Sequence, residues 1–477
     1  MQEANNSTSN VDRYSTKTYI SVSFGNLITE FFLAAFGTRV FDYYENEIGV
    51  ESWVLSTAFI IYAIYNMFND PILGYISDKP RRWWPKWGKR RPWIMGSIIP
   101  WGITYILMFT VPNFNPDTLN GTISLFVWLI ITSVIYDTFF SIFGTSFNSL
   151  LTEKFRTDKE RGRQASIGIV FSTIGMVLGT MLPGLVGSYQ NQNSWIIGAG
   201  LISIVGIAFG MLMTHGTKEP LDMIERAEHC VEEEVEHKKY EEKKLPFFTS
   251  LIKILGDRNY VAYIIMIVCY QCLTLLMVGT IPYLNRFIIK PAPIEPESLL
   301  FVAPIIVGLL SIPFWQWVTK RIGNKKMIIL GGILIICAGF PFLFISSTPT
   351  IIIFISFMSL GQIAFGLQLM PILATVVDEL VFKIGKRQEG FAIGVRTFFA
   401  RFGLIVQAIT FGLIHHFTGF EPNSSTQTPL ALLGLRIQLA LVPTIIMGIG
   451  ILLFWRLYDI DTEKKRLIQR ELASLKL

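Results

Sequence analysis

The sequence predicts an all-α polytopic membrane protein, with twelve transmembrane helices in two pseudo-symmetric six-helix bundles. Three observations carry that prediction. First, 51% of the 477 residues are hydrophobic and only 16% are charged, with a mean hydropathy of +0.47; an ordinary soluble domain carries more charge. Second, the apolar residues gather into runs near the ~20 residues that cross a hydrocarbon core as a helix. Third, the two halves of the chain echo each other, as the internal repeats of many polytopic folds do.

Twelve runs are expected, at residues 18–43, 53–77, 92–112, 122–150, 164–188, 194–214, 258–288, 298–319, 326–346, 350–381, 390–417 and 431–456. The polar N-terminus runs straight into the first, without the pattern of a cleavable signal peptide. Runs two and three flank a turn from Lys79 to Arg91 with seven cationic side chains and three tryptophans, the composition of a short cytoplasmic hairpin. Nearly all Lys and Arg fall in 1–17, 78–91, 151–163, 215–257, 320–326, 382–389 and 457–477, whereas the loops at 44–52, 113–121, 189–193, 347–349 and 418–430 have none. Positive-inside logic then places both termini in the cytoplasm of a multi-pass plasma-membrane protein. The net charge of +6 is a topology signal, so no nucleic-acid partner is expected; the partners are the bilayer and a small solute, with the chain acting as a monomer.

The expected division is a first bundle at 1–214, a charged cytoplasmic linker at 215–257, a second bundle at 258–456 and a cytoplasmic tail at 457–477. The linker is crowded with Glu and Lys at helical spacing, the pattern of a solvated helix. The tail suits a short amphipathic surface helix. Between the halves, the turn 78–91 has a weaker counterpart at 319–326, and 152–163 matches 378–390 in placement and chemistry. Gly175 with Gly179, and Gly206 with Gly210, have the spacing of tight helix contacts.

No nucleophile–base pair, phosphate loop or metal spacing stands out, so an enzyme is not expected. Cys269 and Cys272 have metal spacing but sit in an apolar helix with no second pair, which reads as packing. His415 and His416 lie near an outer helix end and read as interfacial. Arg39 and Asp42, one turn apart at the outer end of span one, read as a local snorkelling pair, and Arg436 as an outer anchor.

Charges at bilayer depth are costly and point to function. Glu30 is central in span one, Asp137 in span four, Asp70 deeper in span two, and Arg401 about mid-span in eleven. The spacing of Asn66, Asn69 and Asp70 puts all three on one helix face. That is an oxygen-rich cluster suited to a small monovalent cation, or to a proton on Asp70; the alternative is a polar packing seam.

Asn69-Asp-Pro-Ile-Leu-Gly-Tyr-Ile-Ser-Asp78 followed by Trp87-Gly-Lys-Arg-Arg-Pro-Trp93, with Asp378-Glu379 and Gly385-Lys-Arg-Gln-Glu-Gly390, resembles the glycoside–pentoside–hexuronide:cation symporters. These are the melibiose-permease branch of the major facilitator superfamily. The resemblance implies two bundles rocking about a central site, with symport of a sugar or glycoside driven by H⁺ or Na⁺ and no cofactor. By position, Glu30 matches the sugar-binding acid, Asn69 and Asp70 cation-site residues, Ser141 a hydroxyl ligand, and Thr397 and Arg401 a hydroxyl and a cation in span eleven. Asn66 stands where melibiose permease has a second cation-site carboxylate; Gly144, Asn148 and Gly168 stand where it has a sugar-binding acid, a tryptophan and an arginine. Asp137, two turns from Gly144 on the same face, is the candidate to replace the lost acid.

The expected solute site is therefore Glu30, Asp137, Asn148, Thr397 and Arg401, and the expected cation site Asn66, Asn69, Asp70 and Ser141. Asp78, Arg90, Arg91, Glu153, Asp378 and Arg387 are expected to meet across the cytoplasmic entrance when it shuts. These departures weaken galactoside specificity and favour H⁺ over Na⁺. Two alternatives remain: a lysolipid or other amphiphile symporter on the same fold, and a membrane sensor that does not transport.

Overall fold

A computed structural model describes residues 14–78, 81, 83–155, 157–186, 191–220, 223–224, 254–289, 295–384, 389–422, 424–461, 463–465 and 467–468. Most of the linker, the end of the tail, Cys230 and Arg387 lie outside the described residues, as does the side chain of Asp78.

The first half comprises α1 (Thr16–Asn46), α2 (Ser52–Asp78), α3 (Arg91–Phe109), α4 (Leu119–Lys154), α5 (Asp158–Val186) and α6 (Gln192–Met211). The second comprises α7 (Arg258–Tyr283), α8 (Glu295–Ile322), α9 (Asn324–Gly339), α10 (Thr348–Ile384), α11 (Glu389–Ala400), α12 (Phe402–Thr418) and α13 (Pro429–Leu457). Among the described residues, eleven helical stretches are long and apolar enough to cross a membrane, with α11 and α12 forming one of them. The difference from the expected twelve is α2. Its 27 residues make a helix about 40 Å long at 1.5 Å per residue, but Asn66, Asn69 and Asp70 lower its hydropathy.

The expected eleventh span is divided at Arg401. The break falls where Arg401 is drawn to Asp70 of α2 and where Gly403 presses on α7, so closely that a Cβ there would lie 2.8 Å from Gln271. The Gly175/Gly179 pair performs the predicted packing. Side chains at these positions would strike the backbone of α1, within 2.9 Å of the Leu27 carbonyl carbon and 3.0 Å of that of Phe31. Cys269 and Cys272 are buried free thiols of α7.

The first core is aromatic, with Phe31, Phe32, Tyr43, Tyr44, Trp101 and Tyr105 fully buried. The second, around Tyr260, Leu273, Ile335, Phe365 and Phe454, is built from the second half. The first core also takes in Tyr283, Phe287, Phe411 and Phe420 from the second half. These lie where α1 and α12 end and α2 begins, the face opposite the basic turns. There the two halves are packed together. Helical contacts between halves run through α2 with α12, α1 with α7, and α5 with α8.

Arg39 and Asp42 differ from the snorkelling reading. They are 2% and 1% exposed and 3.8 Å apart, with the guanidinium 5.7 Å from the centre of the Trp195 ring. The last turns of α1 are covered by other helices, so neither side chain reaches an interface. Arg436 does anchor a loop, donating to the carbonyls of Leu343 at 3.3 Å and Ile345 at 2.7 Å.

Candidate functional site

The helix α2 presents two faces of polar chemistry. Tyr62, Asn66 and Asn69, at i, i+4 and i+7, share the face turned to α4. There they surround Asp137, which is 1% exposed. Asn66 Nδ2 donates to its Oδ1. Asn69 Nδ2 donates to its Oδ2 at 3.0 Å and to its backbone carbonyl at 3.3 Å, and Tyr62 Oη donates to Oδ1 at 3.2 Å. Tyr65 supports the arrangement, donating to Asn69 Oδ1 at 3.1 Å and sharing a hydrogen bond of 2.7 Å with Thr138. A carboxylate that accepts several donors can stay buried; one without partners could not.

Asp70, one residue on, points the other way. Its Oδ2 accepts from Arg401 Nη2 at 2.9 Å, and each side chain is 22% exposed. This ion pair ties α2 of the first half to the break between α11 and α12 of the second. Arg401 also lies within electrostatic reach of Asp137. Two carboxylates therefore share one guanidinium, and a formal charge of −1 is left for a proton or monovalent cation. Near Asp137, Ser141 Oγ and Asn66 Oδ1 are buried oxygens with no hydrogen-bond partner among the described residues. No group of three His, Cys, Asp or Glu fit for a metal occurs among the described residues.

The structure thus brings Asn66, Asn69, Asp70, Asp137, Ser141 and Arg401 to one region. The amides of Asn66 and Asn69 serve Asp137, though, and not Asp70. The reason is tertiary: helical spacing fixes which residues of α2 share a face, but not that α4 supplies a carboxylate to it. Asp137 is accordingly enclosed by protein and is not an open replacement for a solute-binding acid.

Glu30 makes no hydrogen bond or ion pair among the described residues and lies in electrostatic reach of Tyr270 on α7. Thr397 Oγ1 is satisfied within its own helix by Ile393 O at 3.0 Å, and Asn148 is exposed on α4. Gly168 leaves room for Asn26 of α1, whose Nδ2 would be 2.6 Å from a Cβ at that position; Gly144 faces open space.

On the basic face, Arg90 Nη2 meets Glu153 at 2.7 Å, which joins the start of α3 to the end of α4 inside the first half. Glu219 accepts the backbone N–H groups of Lys89, Arg90 and Arg91 at 3.0, 2.7 and 3.0 Å. Lys154 Nζ donates to the carbonyls of Gly216 and Lys218 at 2.6 and 2.8 Å. Glu379, beside Asp378, takes Lys383, Lys464 and Asn259 at 3.1, 2.9 and 2.7 Å, all from the second half. None of these contacts joins the first bundle to the second.

Sequence reasoning missed the polar cluster on the opposite face. Glu45, at the end of α1, accepts hydrogen bonds from Ser52 and Tyr283, and His415 Nδ1 lies 2.8 Å from its Oε1. Glu47 pairs with Arg286 at 2.9 Å. His415 is therefore not interfacial; it is 1% exposed, while His416 is exposed. One signal was available. Asp42, Glu45 and Glu47 crowd one helix end whose following loop, 44–52, holds no Lys or Arg, so partners had to come from elsewhere.

A family model described as MFS/sugar transport protein matches residues 19–462. The isoprimeverose transporter of Lactiplantibacillus pentosus is 24% identical over 460 residues, spanning 92% of this chain and 89% of that protein. The sodium-dependent lysophosphatidylcholine symporter 1 of Mus musculus is 22% identical over 471 residues, spanning 90% and 82% respectively. Among solved structures, a nucleoside transporter superposes with a TM-score of 0.64 at 13% identity, covering 93% of this chain and 100% of that one. A D-xylose-proton symporter gives 0.63 at 12% identity, covering 93% and 98%. These likenesses show the major facilitator fold, and the chain, a multi-pass membrane transporter, belongs to the MFS/sugar transport protein family.

Proposed function

We propose that the chain is a secondary symporter, moving a sugar or glycoside-like solute with H⁺ or Na⁺ by alternating access. The observation that carries this reading is the Asp70–Arg401 ion pair between the halves, set beside the buried Asp137. An ion or proton arriving there cancels the surplus negative charge. Asp70 no longer needs Arg401, and the contact that holds α2 to α11 and α12 weakens. A ligand shifts such an equilibrium only by binding one state better than the other, and a charge shared between two moving halves supplies that difference. The cation site of this reading comprises Asn66, Asn69, Asp70, Asp137 and Ser141. Glu30, without a described partner, is the acid for solute hydroxyls, with Thr397 and Asn148 at the margins of the solute path.

The basic face is the cytoplasmic one in this reading, with both termini inside a plasma membrane and the opposite, tightly packed face outside. The cytoplasmic entrance closes when Arg90, Arg91, Glu153 and Asp378, with Asp78 and Arg387, exchange partners across it. No cofactor and no catalytic step are assigned, and the chain acts as a monomer.

A second reading, an amphiphile such as a lysolipid as solute, is favoured by one feature. Phe68 and Phe398 form an aromatic contact 5.8 Å apart beside the ion pair, and Phe68 is 55% exposed. The deciding test is gradient-driven uptake and counterflow of a solute panel by wild type and Asp70→Asn, the panel spanning pentosides, hexosides and lysolipids. Expected is a pentoside or hexoside substrate, with accumulation lost and exchange retained in Asp70→Asn. Unchanged accumulation would remove Asp70 from coupling, and uptake of lysolipid alone would select the second reading.

A further inference from the structure

We propose that Glu45 is the catch of the outer gate, closed on by Tyr283 and His415 of the second half when that face shuts and released when it opens. The inference rests on the alternating-access reading above, though not on the identity of solute or ion.

Glu45 is fully buried in the last turn of α1. A buried carboxylate is tolerated only when its oxygens are taken up by donors. Here Oε1 faces Ser52 and His415, and Oε2 faces Tyr283. Ser52 belongs to the same half and stays with Glu45 when the halves part. The other two do not. For the His415 side chain, the bond to Glu45 is the one polar contact among the described residues, and its Nε2 is buried without a partner.

Aromatic rings close over the cluster. His415 lies 4.4 Å from Phe420, 5.3 Å from Tyr283 and 5.4 Å from Phe411, and Phe411 meets Phe41 of the first half at 4.8 Å. The neighbouring charges are Asp42 with Arg39, and Glu47 with Arg286; the latter is a second link between halves. At Gly412 the halves approach so closely that a Cβ would lie 2.6 Å from Ser56 Oγ. Once the halves separate, water replaces Tyr283 and His415 at the carboxylate. The net strength of the catch is then the small difference between a buried, protein-bonded carboxylate and a hydrated one, as a reversible gate requires.

Ser56, 5% exposed beneath this seal, provides the reporter. In purified full-length protein carrying Cys230→Ser and Cys337→Ser, the remaining Cys269 and Cys272 are buried. Ser56→Cys and, separately, Gly144→Cys are then labelled with a maleimide. Gly144 faces open space at the position matched to the solute pocket, which on the alternating-access reading opens to the basic face when the outer face is shut. Tyr283→Phe, which keeps the ring, and Glu45→Gln are each expected to speed Ser56→Cys labelling by about ten-fold, the loss of one hydrogen bond to a charged group, and to slow Gly144→Cys. Equal Ser56→Cys rates in parent and variants would overturn the catch. Faster labelling at both reporters would mark a loosened fold and overturn it too. No labelling of Ser56→Cys in any background, with Gly144→Cys unaffected, would count against alternating access itself.

Discussion

Asp70 and Asp137 are both carboxylates at bilayer depth, and their surroundings assign them different work. Asp137 accepts from three side chains of α2 and is shut away from solvent. Asp70 has one partner among the described residues, and both members of that pair keep some access. We expect Asp137→Asn to lower stability by about 1.5–3 kcal/mol, since hydrogen bonds to a charged group are lost, measured by thermal unfolding in detergent. For Asp70→Asn we expect a change within about 1 kcal/mol, the range of a partly exposed pair, alongside the loss of accumulation. If Asp70→Asn unfolded the protein and Asp137→Asn did not, the division of labour would be reversed. The sequence made Asp70, Asp137 and Arg401 visible, because each charge interrupts an apolar run. It did not reveal that Asn66 and Asn69 serve Asp137, since that depends on which helix packs on α2. Glu45 and His415 escaped for another reason: a polar residue at a helix end looks the same whether it meets headgroups or another helix.

At the scale of elements, the small-residue spacing in α5 was legible because close helix approach needs residues without side-chain bulk. Gly175→Ala or Gly179→Ala would force α5 from the α1 backbone and should cost about 1–3 kcal/mol, as overpacking does; Gly144→Ala, facing open space, should be close to neutral. Thermal unfolding of the three variants compares them directly. The break at Arg401 was not legible, since no Pro or Gly marks that residue itself.

The segment after α13 folds back as a strap. Asn259 Nδ2 donates to Asp459 Oδ1 at 2.7 Å, and Lys464 Nζ bridges Asp459 at 2.7 Å and Glu379 at 2.9 Å. Burial works to raise the Asp459 carboxyl, but the hydrogen bonds from Lys464 and Asn259 outweigh it and hold it below the usual carboxylate range. Burial likewise works to lower Lys464, and its bonds to Asp459 and Glu379 hold it above the usual amine range. The Asp459 contribution is present above its unfolded value of about 3.9 and is lost as pH falls through its lower folded value. The Lys464 contribution is present below about 10.4 and is lost as pH rises through its higher folded value. Protection of residues 458–465 from hydrogen exchange should therefore be flat from about pH 5 to 9, after correction for intrinsic rates, and Lys464→Ala should reduce it throughout. A steep change inside that window would show that another group governs the strap.

For the whole molecule, the surplus negative charge near Arg401 predicts stabilisation by the coupling ion alone. A ligand at 100 times its Kd adds about 2.7 kcal/mol to the state that binds it. Wild type should gain thermal stability with Na⁺ at constant ionic strength, or with falling pH if the ion is a proton, and Asp70→Asn should not. An equal response from both proteins would place the ion elsewhere. The two-bundle architecture was largely readable from hydropathy and from the placement of Lys and Arg, because a bilayer permits few solutions. Which face the structure holds shut was not readable, because both conformations satisfy the same pattern.

Glu219 grips three successive amides of the turn before α3, and Lys154 holds the chain just after α6. Together they tie the start of α3 and the ends of α4 and α6 to one another on the basic side of the first half. Helix ends tied in this way move as a set, so a displacement of the first half is shared by all three. In a rocking cycle the first half then turns as one piece against its contacts with the second, α2 on α12 and α1 on α7.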